Sequence, residues 1–426
     1  MTPAARLQAV IELVDGYLGT LEEGGPAADQ MVRHYFSKRR YAGSKDRRAV
    51  REQFYAIMRQ FGLFKWVCEQ SGYALGGRSL SLAQLLGESS EELDTLFCGS
   101  KFAPEPLSEE EKQFVLAAQD ALAMSERPVW VEHNVPDWLH ERLVERFGDA
   151  LPEQLAGLEE RAPLDVRVNT TRRSVDKVES AFPGAKPTPF SPFGLRLHDE
   201  PNLQQHKLFR DGIVDIQDEG AQLAALACTV RPGMQVLDFC AGAGGKSLAL
   251  AQLMDGKGQV FAYDQDPNRL SRLAPRAQRQ KLRNIQLINS LEDIPNVFDR
   301  VVLDVPCSGT GTWRRNPEQR WRLSSESVIQ YVETQAQILV EGAKLVKPGG
   351  QLVYITCSVL PEEDEHQITS FLKTNGDYSL ANYEMLPGFS EINLPTSLST
   401  LDGCLLMTPA SHGTDGFFVA VMDRVN

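Results

Sequence analysis

From Pro232 to the C-terminus the sequence repeats one pattern, a short apolar strand followed by a tight turn and a helix. This alternation is typical of a doubly wound parallel sheet of the α/β class. We expect strands at Gln235–Phe239, Gln259–Asp264, Ile285–Ile288, Arg300–Asp304, Gln351–Thr356, Cys404–Met407 and Phe417–Met422. Because right-handed crossovers bring ligands to the carboxyl ends of such strands, the strand-end loops are where functional residues are expected.

The residues before this sheet show two other patterns. Apolar residues recur at helical spacing through the first 130 residues, where strand signals are nearly absent, and Ser108 followed by three acids predicts a capped helix start. Further on, Pro163–Asn169 and Gly194–Leu197 read as short strands around a helix near residues 174–181. Since 426 residues exceed one hydrophobic core, we expect three domains: helical 1–130, small α+β 131–220 and α/β 221–426.

Charge is unevenly distributed along the chain. The formal net charge is -13, which argues against a nucleic-acid partner, but residues 61–230 hold 16 basic and 28 acidic side chains and so account for most of it. Arg33–Arg51 holds eight Lys and Arg against one acid, with aromatic residues between them. This segment, here called the basic patch, reads either as a solvated helix face or as a phosphate-binding surface.

Seven cysteines occur without a CxxC pair and without the Cys/His spacing of a zinc site. The sequence therefore predicts neither a disulfide framework nor a metal. No run of about 18 apolar residues occurs, and the first 20 residues lack a cationic start with a cleavage site. We expect a cytoplasmic protein.

The first strand of the sheet leads into a glycine loop, Cys240-Ala-Gly-Ala-Gly-Gly-Lys246. Glycines let backbone N–H groups approach a ligand closely, but Ser247 stands where the dinucleotide motif G-x-G-x-x-G needs its third glycine, which disfavours NAD and FAD. Asp264 ends the second strand about 20 residues later, where an acid can accept hydrogen bonds from ribose hydroxyls. A nucleoside-containing cofactor is expected.

The fourth and fifth strands each deliver a cysteine, Cys307 and Cys357, and Asp304 precedes the first. Neighbouring strands lie about 4.8 Å apart, so the two thiols are expected to converge. Convergent thiols suit a redox pair or a reaction with two sulfur steps, and two buried fillers are the alternative. Asp304 favours the reaction: a thiolate adding to C6 of cytosine makes C5 nucleophilic, and a carboxyl at N3 stabilises the developing charge.

Three segments, Phe239–Lys246, Leu303–Gly311 and Tyr354–Ser358, resemble in order and spacing the signature loops of the RNA (cytosine-5) methyltransferase family. The chain resembles in particular the bacterial 16S rRNA cytosine-5 methyltransferases with a NusB-type N-terminal domain. This resemblance implies a class I Rossmann-like methyltransferase sheet, preceded by an all-α NusB-like domain and a small α+β RNA-recognition-like segment.

The resemblance also implies roles for individual residues. S-adenosyl-L-methionine would be bound by Cys240, Ala241, Gly242, Ala243, Gly244, Gly245, Lys246, Asp264, Asn289 and Asp304. Asp264 would contact the ribose, and Asp304 would lie near both the methionine end and the cytosine. Asn289 stands where the family usually has an acid for the adenine. Cys357 would be the nucleophile at C6, Cys307 would assist release of the product, and Lys246 would orient Asp304 or the substrate.

The predicted RNA contacts combine cations with aromatic rings, and they are Arg39, Arg40, Lys45, Arg47, Arg48, Trp313, Arg314 and Arg315. A second such cluster is Arg320–Arg322. In contrast, the basic residues of 269–283 read as a solvated helix face, and Glu362–Glu365 as the acidic first turn of a helix.

Several functional alternatives remain open at this point. The substrate could be ribosomal RNA, which we expect, or transfer RNA, and a non-catalytic RNA-binding assembly factor could retain the fold. A DNA cytosine methyltransferase would use only the cysteine that follows the proline and would not need Cys357. We expect a monomer with no membrane and no metal.

Overall fold

A computed structural model of the chain describes residues 1–23, 25–198, 203–293 and 297–425. The chain forms two compact units. The first comprises Met1–Glu141 and Asn316–Leu323, and the second comprises Arg142–Arg315 and Ser324–Asn426. The expected division into three domains at residues 130 and 220 stays a prediction.

The first unit is helical, as predicted. Its helices are α1 (Pro3–Glu23), α2 (Ala28–Ser37), α3 (Ser44–Arg59), α4 (Phe61–Gln70), α5 (Gly77–Gln84), α6 (Ser90–Leu96), α7 (Glu109–Leu122) and α8 (Val129–Glu132). The Ser108 hydroxyl accepts from the Glu111 N–H, and the Glu111 carboxylate accepts from the Ser108 N–H, which confirms the capped start of α7.

A segment far along the chain completes this unit. Pro317–Trp321 forms a 3-10 turn, and the Trp321 ring lies 5.3 Å from that of Phe61. The hydroxyl of Tyr17, fully buried in α1, donates to the backbone carbonyl of Glu318 at 2.8 Å. These contacts bury aromatic surface, which is the main stabilising contribution of such a segment.

The second unit begins in α9 (Asp137–Phe147), which spans the boundary, and continues with a small antiparallel sheet. Four strands occur in the order β2-β3-β1-β4 in the described part of this region. Their bounds are β1 (Leu164–Val168), β2 (Lys186–Pro187), β3 (Gly194–Leu197) and β4 (Val214–Ile216), with helices α10 (Leu151–Glu159), α11 (Val175–Glu179) and α12 (Lys207–Arg210). The two expected strands and the helix between them are confirmed.

The large sheet of the second unit has the order β10-β12-β9-β8-β5-β6-β7, with β11 paired to β12, over the described residues. The strands are β5 (Gln235–Asp238), β6 (Gln259–Tyr263), β7 (Ile285–Ile288), β8 (Phe298–Asp304), β9 (Val346–Thr356), β10 (Tyr378–Ala381), β11 (Leu405–Met407) and β12 (Phe417–Arg424). Strands β5 to β9 pair in parallel, and β12 is antiparallel to β9. The predicted α/β sheet is confirmed.

Helices pack against the strands of this sheet. They are α13 (Glu219–Ala227), α14 (Gly245–Leu253), α15 (Pro267–Leu270), α16 (Leu273–Gln280), α17 (Ser325–Lys344), α18 (Glu365–Thr374) and α19 (Pro409–His412). Strand order reverses at β5, which lies between β6 and β8, and the crevice at such a switch point is where open α/β sheets bind ligands. Among the described helices, none is both long and apolar enough to cross a membrane.

Candidate active site

The glycine loop joins β5 to α14 at the switch point. Gly242 and Gly244 have φ of +54° and +83°, in the left-handed region. A Cβ on Gly244 would lie 2.1 Å from the Leu273 side chain. The Asp264 carboxylate accepts from the N–H of Gly242 at 2.7 Å and from that of Asp266 at 2.8 Å. Asp264 therefore fixes the loop as well as standing at the end of β6.

Arginine side chains from other segments donate hydrogen bonds to carbonyl groups of the glycine loop. Arg276 donates to the Ala243 carbonyl at 2.6 Å, and Arg167 donates to the Gly245 carbonyl at 3.1 Å. Asp215 pairs with Arg276 at 2.6 Å and with Arg279 at 2.8 Å. The expectation of a purely solvated helix face over residues 269–283 is thus wrong for Arg276 and Arg279, because both pair with a buried carboxylate.

Ser247, which replaces the third glycine of a dinucleotide motif, has a structural partner. Its hydroxyl donates to the Asp238 carboxylate at 2.6 Å, and both residues are fully buried. Burial of the carboxyl group at the end of β5 raises the pKa of Asp238 to about 7.

The two cysteines converge, as predicted. The Sγ atoms of Cys307 and Cys357 lie 3.3 Å apart, each in a half-buried position after its strand. The register that pairs Asp304 with Ile355 places both loops at the same edge, and the Gly311 N–H donates to the Cys357 carbonyl at 3.0 Å. The hydrogen bond to Cys357, together with burial, raises the pKa of the Cys307 thiol well above its usual value.

Lys246 and Asp304 connect the glycine loop with the cysteine loop of β8. The Lys246 ammonium lies 2.8 Å from the Asp304 carboxylate and 4.9 Å from the centroid of the Phe417 ring. Burial alone would lower the pKa of Lys246, but the charge and hydrogen bond of Asp304 raise it above its usual value. The lysine therefore keeps its positive charge beside the side chain of Asp304, which is about a third exposed.

A family model described as 16S rRNA methyltransferase RsmB/F matches residues 225–423, and another, for the ferredoxin-like domain of RsmF/B-like methyltransferases, matches residues 135–204. A probable ribosomal RNA small subunit methyltransferase B from Synechocystis sp. is 34% identical over 305 residues. That match covers 69% of this chain and 67% of the relative. The chain belongs to the RsmB/F family. The resemblance noted in the sequence is thereby confirmed at the family level.

Other comparisons agree with this assignment. Ribosomal RNA small subunit methyltransferase B of Shewanella oneidensis is 31% identical over 68% of this chain and 67% of its own length. The crystal structure of PH0851 superposes with a TM-score of 0.79 at 26% identity, over 100% of this chain and 99% of that one. A methyltransferase homologue from Pyrococcus horikoshii gives a TM-score of 0.60 at 26% identity, over 70% and 97% of the two chains. The Rossmann-like methyltransferase fold is confirmed.

Of the predicted RNA contacts at residues 313–315, Trp313 and Arg314 are buried, which contradicts RNA contact by these two side chains, whereas RNA contact by the half-buried Arg315 stays a prediction. Trp313 is fully buried, and Arg314 and Arg315 pair with the Asp218 and Asp415 carboxylates at 2.5–2.9 Å. In the first unit, Arg320 is fully buried and donates to the Asn134 carbonyl at 2.7 Å. The Asp218 and Asp415 carboxylates therefore neutralise the charges of the Arg314 and Arg315 guanidinium groups.

The basic patch of the first unit lies on its surface. Arg40, Lys45, Arg47 and Arg48 are exposed, whereas Arg39 is half-buried against the Tyr35 ring and pairs with Glu12 at 2.8 Å. RNA binding by this patch stays a prediction. So does adenine contact by Asn289, which is exposed directly after β7, and cofactor contact by the half-buried Cys240.

The acidic stretch Glu362–Glu365 holds residues that the sequence reasoning missed. Only Glu365 lies within α18, and Glu363, Asp364 and Glu365 are buried. Asp364 accepts from the Thr356 hydroxyl at 2.6 Å, next to Cys357, and Glu365 pairs with Arg146 at 2.5 Å. The expectation of a simple acidic first turn is therefore wrong. The apolar run Val359–Pro361, followed at once by four acids, was the available signal, since acids are rarely buried without partners.

Proposed function

We propose that this chain transfers a methyl group from S-adenosyl-L-methionine to C5 of a cytosine in 16S ribosomal RNA, through a covalent bond between Cys357 and C6. The observation that carries the proposal is the 3.3 Å approach of the Cys307 and Cys357 sulfurs, each at a strand end on the same sheet edge. Family membership supports methyl transfer, and relatives named ribosomal RNA small subunit methyltransferase B support the choice of RNA.

The glycine loop fits a nucleoside cofactor with a sulfonium group. Gly242 and Gly244, which have left-handed backbone angles, carry no side chain that would keep a ligand away from the loop backbone. Asp264 at the end of β6 and the exposed amide of Asn289 after β7 stand where ribose and adenine contacts are expected. A neighbour of the same fold, NSun6 from Pyrococcus horikoshii, was crystallised with SFG, an analogue of S-adenosylmethionine. When bound, the cofactor would supply an electrophilic methyl group.

Cys357 would act as the nucleophile. The Cys307 thiol, whose raised pKa keeps it protonated, can donate a hydrogen bond to the Cys357 sulfur across 3.3 Å, and Cys357 would lose its own proton to solvent before its sulfur attacks. Attack on C6 forms the S–C6 bond and moves the electron pair of the C5–C6 double bond toward C5 and the ring. C5 then has the electron density needed to accept a methyl group.

Asp304 and Lys246 would stabilise the charge that this attack creates. A hydrogen bond donated by the Asp304 carboxyl group to N3 of the cytosine would hold the developing negative charge, and the 2.8 Å contact with Lys246 fixes the position of that carboxyl group. Because the pair is preorganised, little reorganisation is needed when the charge appears.

Cys307 would complete the cycle. We place it at release, where its proton passes to the departing Cys357 sulfur while its own sulfur takes the C5 proton. The C6–S bond breaks, the C5–C6 double bond re-forms, and both thiols end protonated. The proton lost from C5 is thus balanced by the one gained at Cys357.

The two cysteines make the proposal testable by their different phenotypes. Cys357→Ala should abolish methyl transfer, and Cys307→Ala should accumulate an RNA adduct that survives denaturing electrophoresis. Bisulfite sequencing of 16S ribosomal RNA and of transfer RNA, from cells with and without the gene, measures the product and separates the two substrates. Cys98→Ala is the control, because Cys98 is an exposed free thiol in the helical unit. Normal turnover of either active-site variant would refute the assigned roles.

A further inference from the structure

Glu363 is a buried carboxylate that no step of the proposed reaction uses. It lies between β9 and α18 and is fully buried. Its Oε1 accepts from the Ser308 N–H at 2.8 Å and from the Gln335 amide at 3.0 Å. Its Oε2 accepts from the hydroxyls of Ser308 and Ser358. The four donors use the four lone-pair positions of an ionised carboxylate.

These partners tie Glu363 to both reactive loops. Ser308 follows Cys307 and Ser358 follows Cys357, so one carboxylate holds the residue next to each sulfur. Gln335 of α17 also donates to the Pro306 carbonyl at 2.9 Å, which holds the cysteine loop of β8 from its other side. The Thr310 hydroxyl adds contacts to Ser308 at 3.3 Å and Ser358 at 3.2 Å.

Among the described residues, few other contacts connect the loops after β8 and β9 near the two cysteines. They follow neighbouring parallel strands, whose ladder ends with Asp304 opposite Ile355, before either cysteine. Beyond the ladder, the Val305 N–H bonds to the Ile355 carbonyl, the Gly311 N–H bonds to the Cys357 carbonyl, and the two sulfurs contact each other. Further polar links among the described residues run through Glu363, its two serines and Thr310. A buried acid is costly unless it is fully hydrogen-bonded, and burial raises the pKa of Glu363. An apolar residue would fill the same volume without that cost.

We propose that Glu363 is a positioning residue that sets the separation and orientation of the Cys307 and Cys357 sulfurs, and so controls proton transfer between them. This inference rests on the proposed function, because it assigns consequences to attack and release. Loss of the hydrogen bond from Ser358 to Glu363 should slow formation of the covalent RNA adduct. Loss of the hydrogen bonds from Ser308 to Glu363 should instead slow release of the adduct.

The first test compares Glu363→Ala with Glu363→Gln. Alanine removes all four contacts, and the single-turnover rate per active site should fall about tenfold or more. Glutamine keeps the shape, and the two serine hydroxyls can reverse to accept from its amide, so its rate should stay within about threefold of wild type. Active sites are counted by trapping on RNA that carries 5-fluorocytidine, which removes any effect of misfolded protein. The KM for RNA and the cofactor Kd should change little.

Glu362→Gln is the matched control, since its carboxylate instead pairs with Arg142 at 2.9 Å and holds neither serine. A wild-type rate per active site in Glu363→Ala would overturn the proposal, and so would equal damage from alanine and glutamine. Should Glu363→Ala fail to fold, Ser358→Ala and Ser308→Ala give the same answer. The first should slow adduct formation and the second should lengthen adduct lifetime, and unchanged kinetics in both would overturn the positioning role. Methylation by Cys357→Ala would instead refute the proposed function itself.

Discussion

At the scale of single residues, the Lys246–Asp304 pair gives a direct prediction. Asp304→Asn keeps the side-chain volume but replaces the carboxyl group that Lys246 orients and whose proton the cytosine N3 would meet. We expect the methyl-transfer rate to fall by about a hundredfold or more, which is the usual effect of removing one preorganised contact to developing charge. Single-turnover kinetics with saturating cofactor measure it. Asp299→Asn, at the other end of β8, is the control, and a rate within threefold of wild type for Asp304→Asn would contradict the assignment.

Arg146 gives a residue-scale prediction about stability and pH. Its fully buried side chain pairs with Glu365 at 2.5 Å. Burial acts to raise the pKa of Glu365, but the hydrogen bond and charge of Arg146 lower this pKa below its usual value. Arg146→Met should destabilise the fold by about 3 kcal/mol or more, because a buried carboxylate loses its cation. Arg142→Met, one turn earlier on α9, removes a partly exposed pair with Glu362 and a hydrogen bond to Ser325, and should cost about 1 kcal/mol.

The sign of the pH effect follows from the same pair. A lowered folded pKa contributes stability above the unfolded pKa, and that stability is lost as pH falls through the folded pKa. Without Arg146, burial raises the pKa of Glu365, so the folded variant takes up a proton as pH falls. The stability difference between wild type and Arg146→Met should therefore shrink from pH 7.5 to pH 5.5. Urea denaturation at both pH values measures it, and a difference that grows toward pH 5.5 would refute this account.

Residue identities predicted only part of the site. Cys307, Cys357, Asp304 and Lys246 could be predicted because each directly follows a recognisable strand or lies in the glycine loop. Glu363 could not, because three of its four donors belong to Gln335 and Ser308, which lie 28 and 55 positions away in the sequence and which only the fold brings next to it. The burial of Trp313 was missed for the same reason, since an Arg-rich segment with aromatic residues reads as a surface until its acidic partners are known.

At the scale of elements, the glycine loop is held by side chains that lie outside the motif. Arg276 of α16 bonds to the Ala243 carbonyl and is itself held by Asp215 of β4. Arg276→Met should raise the cofactor Kd about tenfold, since a freed carbonyl lets the loop N–H groups turn away from the ligand, and should leave kcat at saturating cofactor nearly unchanged. Isothermal titration and saturation kinetics separate the two effects. Arg272→Met, an exposed site one turn earlier, should bind cofactor like wild type; equal affinity in both variants would dismiss the role of Arg276.

The positions of strands β5 to β9 along the chain, and the loops at their carboxyl ends, could be predicted, because buried parallel strands are continuous apolar runs between turns. Two strand features could not. Strand β10 (Tyr378–Ala381) is a short edge strand after Asp377, with partly exposed residues that give no clear alternation. Strand β9 begins at Val346, because its first residues pair with β8 through an irregular register around Pro348 and Gly349, a sequence that reads as a turn.

At the scale of the whole molecule, net charge is a poor guide to the partner. The excess of acids in residues 61–230 includes several that are buried against arginines, such as Asp215 and Asp218. Those charges are neutralised inside the protein and repel phosphate weakly. The exposed cations of the basic patch, in contrast, lie on the helical unit, where RNA can approach them.

This distribution predicts that RNA binding is strongly salt-dependent despite a net charge of -13. Arg40 and Lys45 are exposed within the basic patch, and each phosphate contact contributes about 0.7 to 0.9 to the slope of log Kobs against log salt. Arg40→Ala with Lys45→Ala should therefore reduce the magnitude of that slope by about 1.5 and weaken binding most at low salt. Fluorescence anisotropy with a fragment of 16S ribosomal RNA, between 50 and 300 mM KCl, measures it. Lys112→Ala is the comparison, because Lys112 is an exposed lysine of the same unit that pairs with Glu109 at 2.8 Å. If the double variant and Lys112→Ala both give the wild-type slope, the basic patch does not bind phosphate. The second unit would then have to bind the RNA.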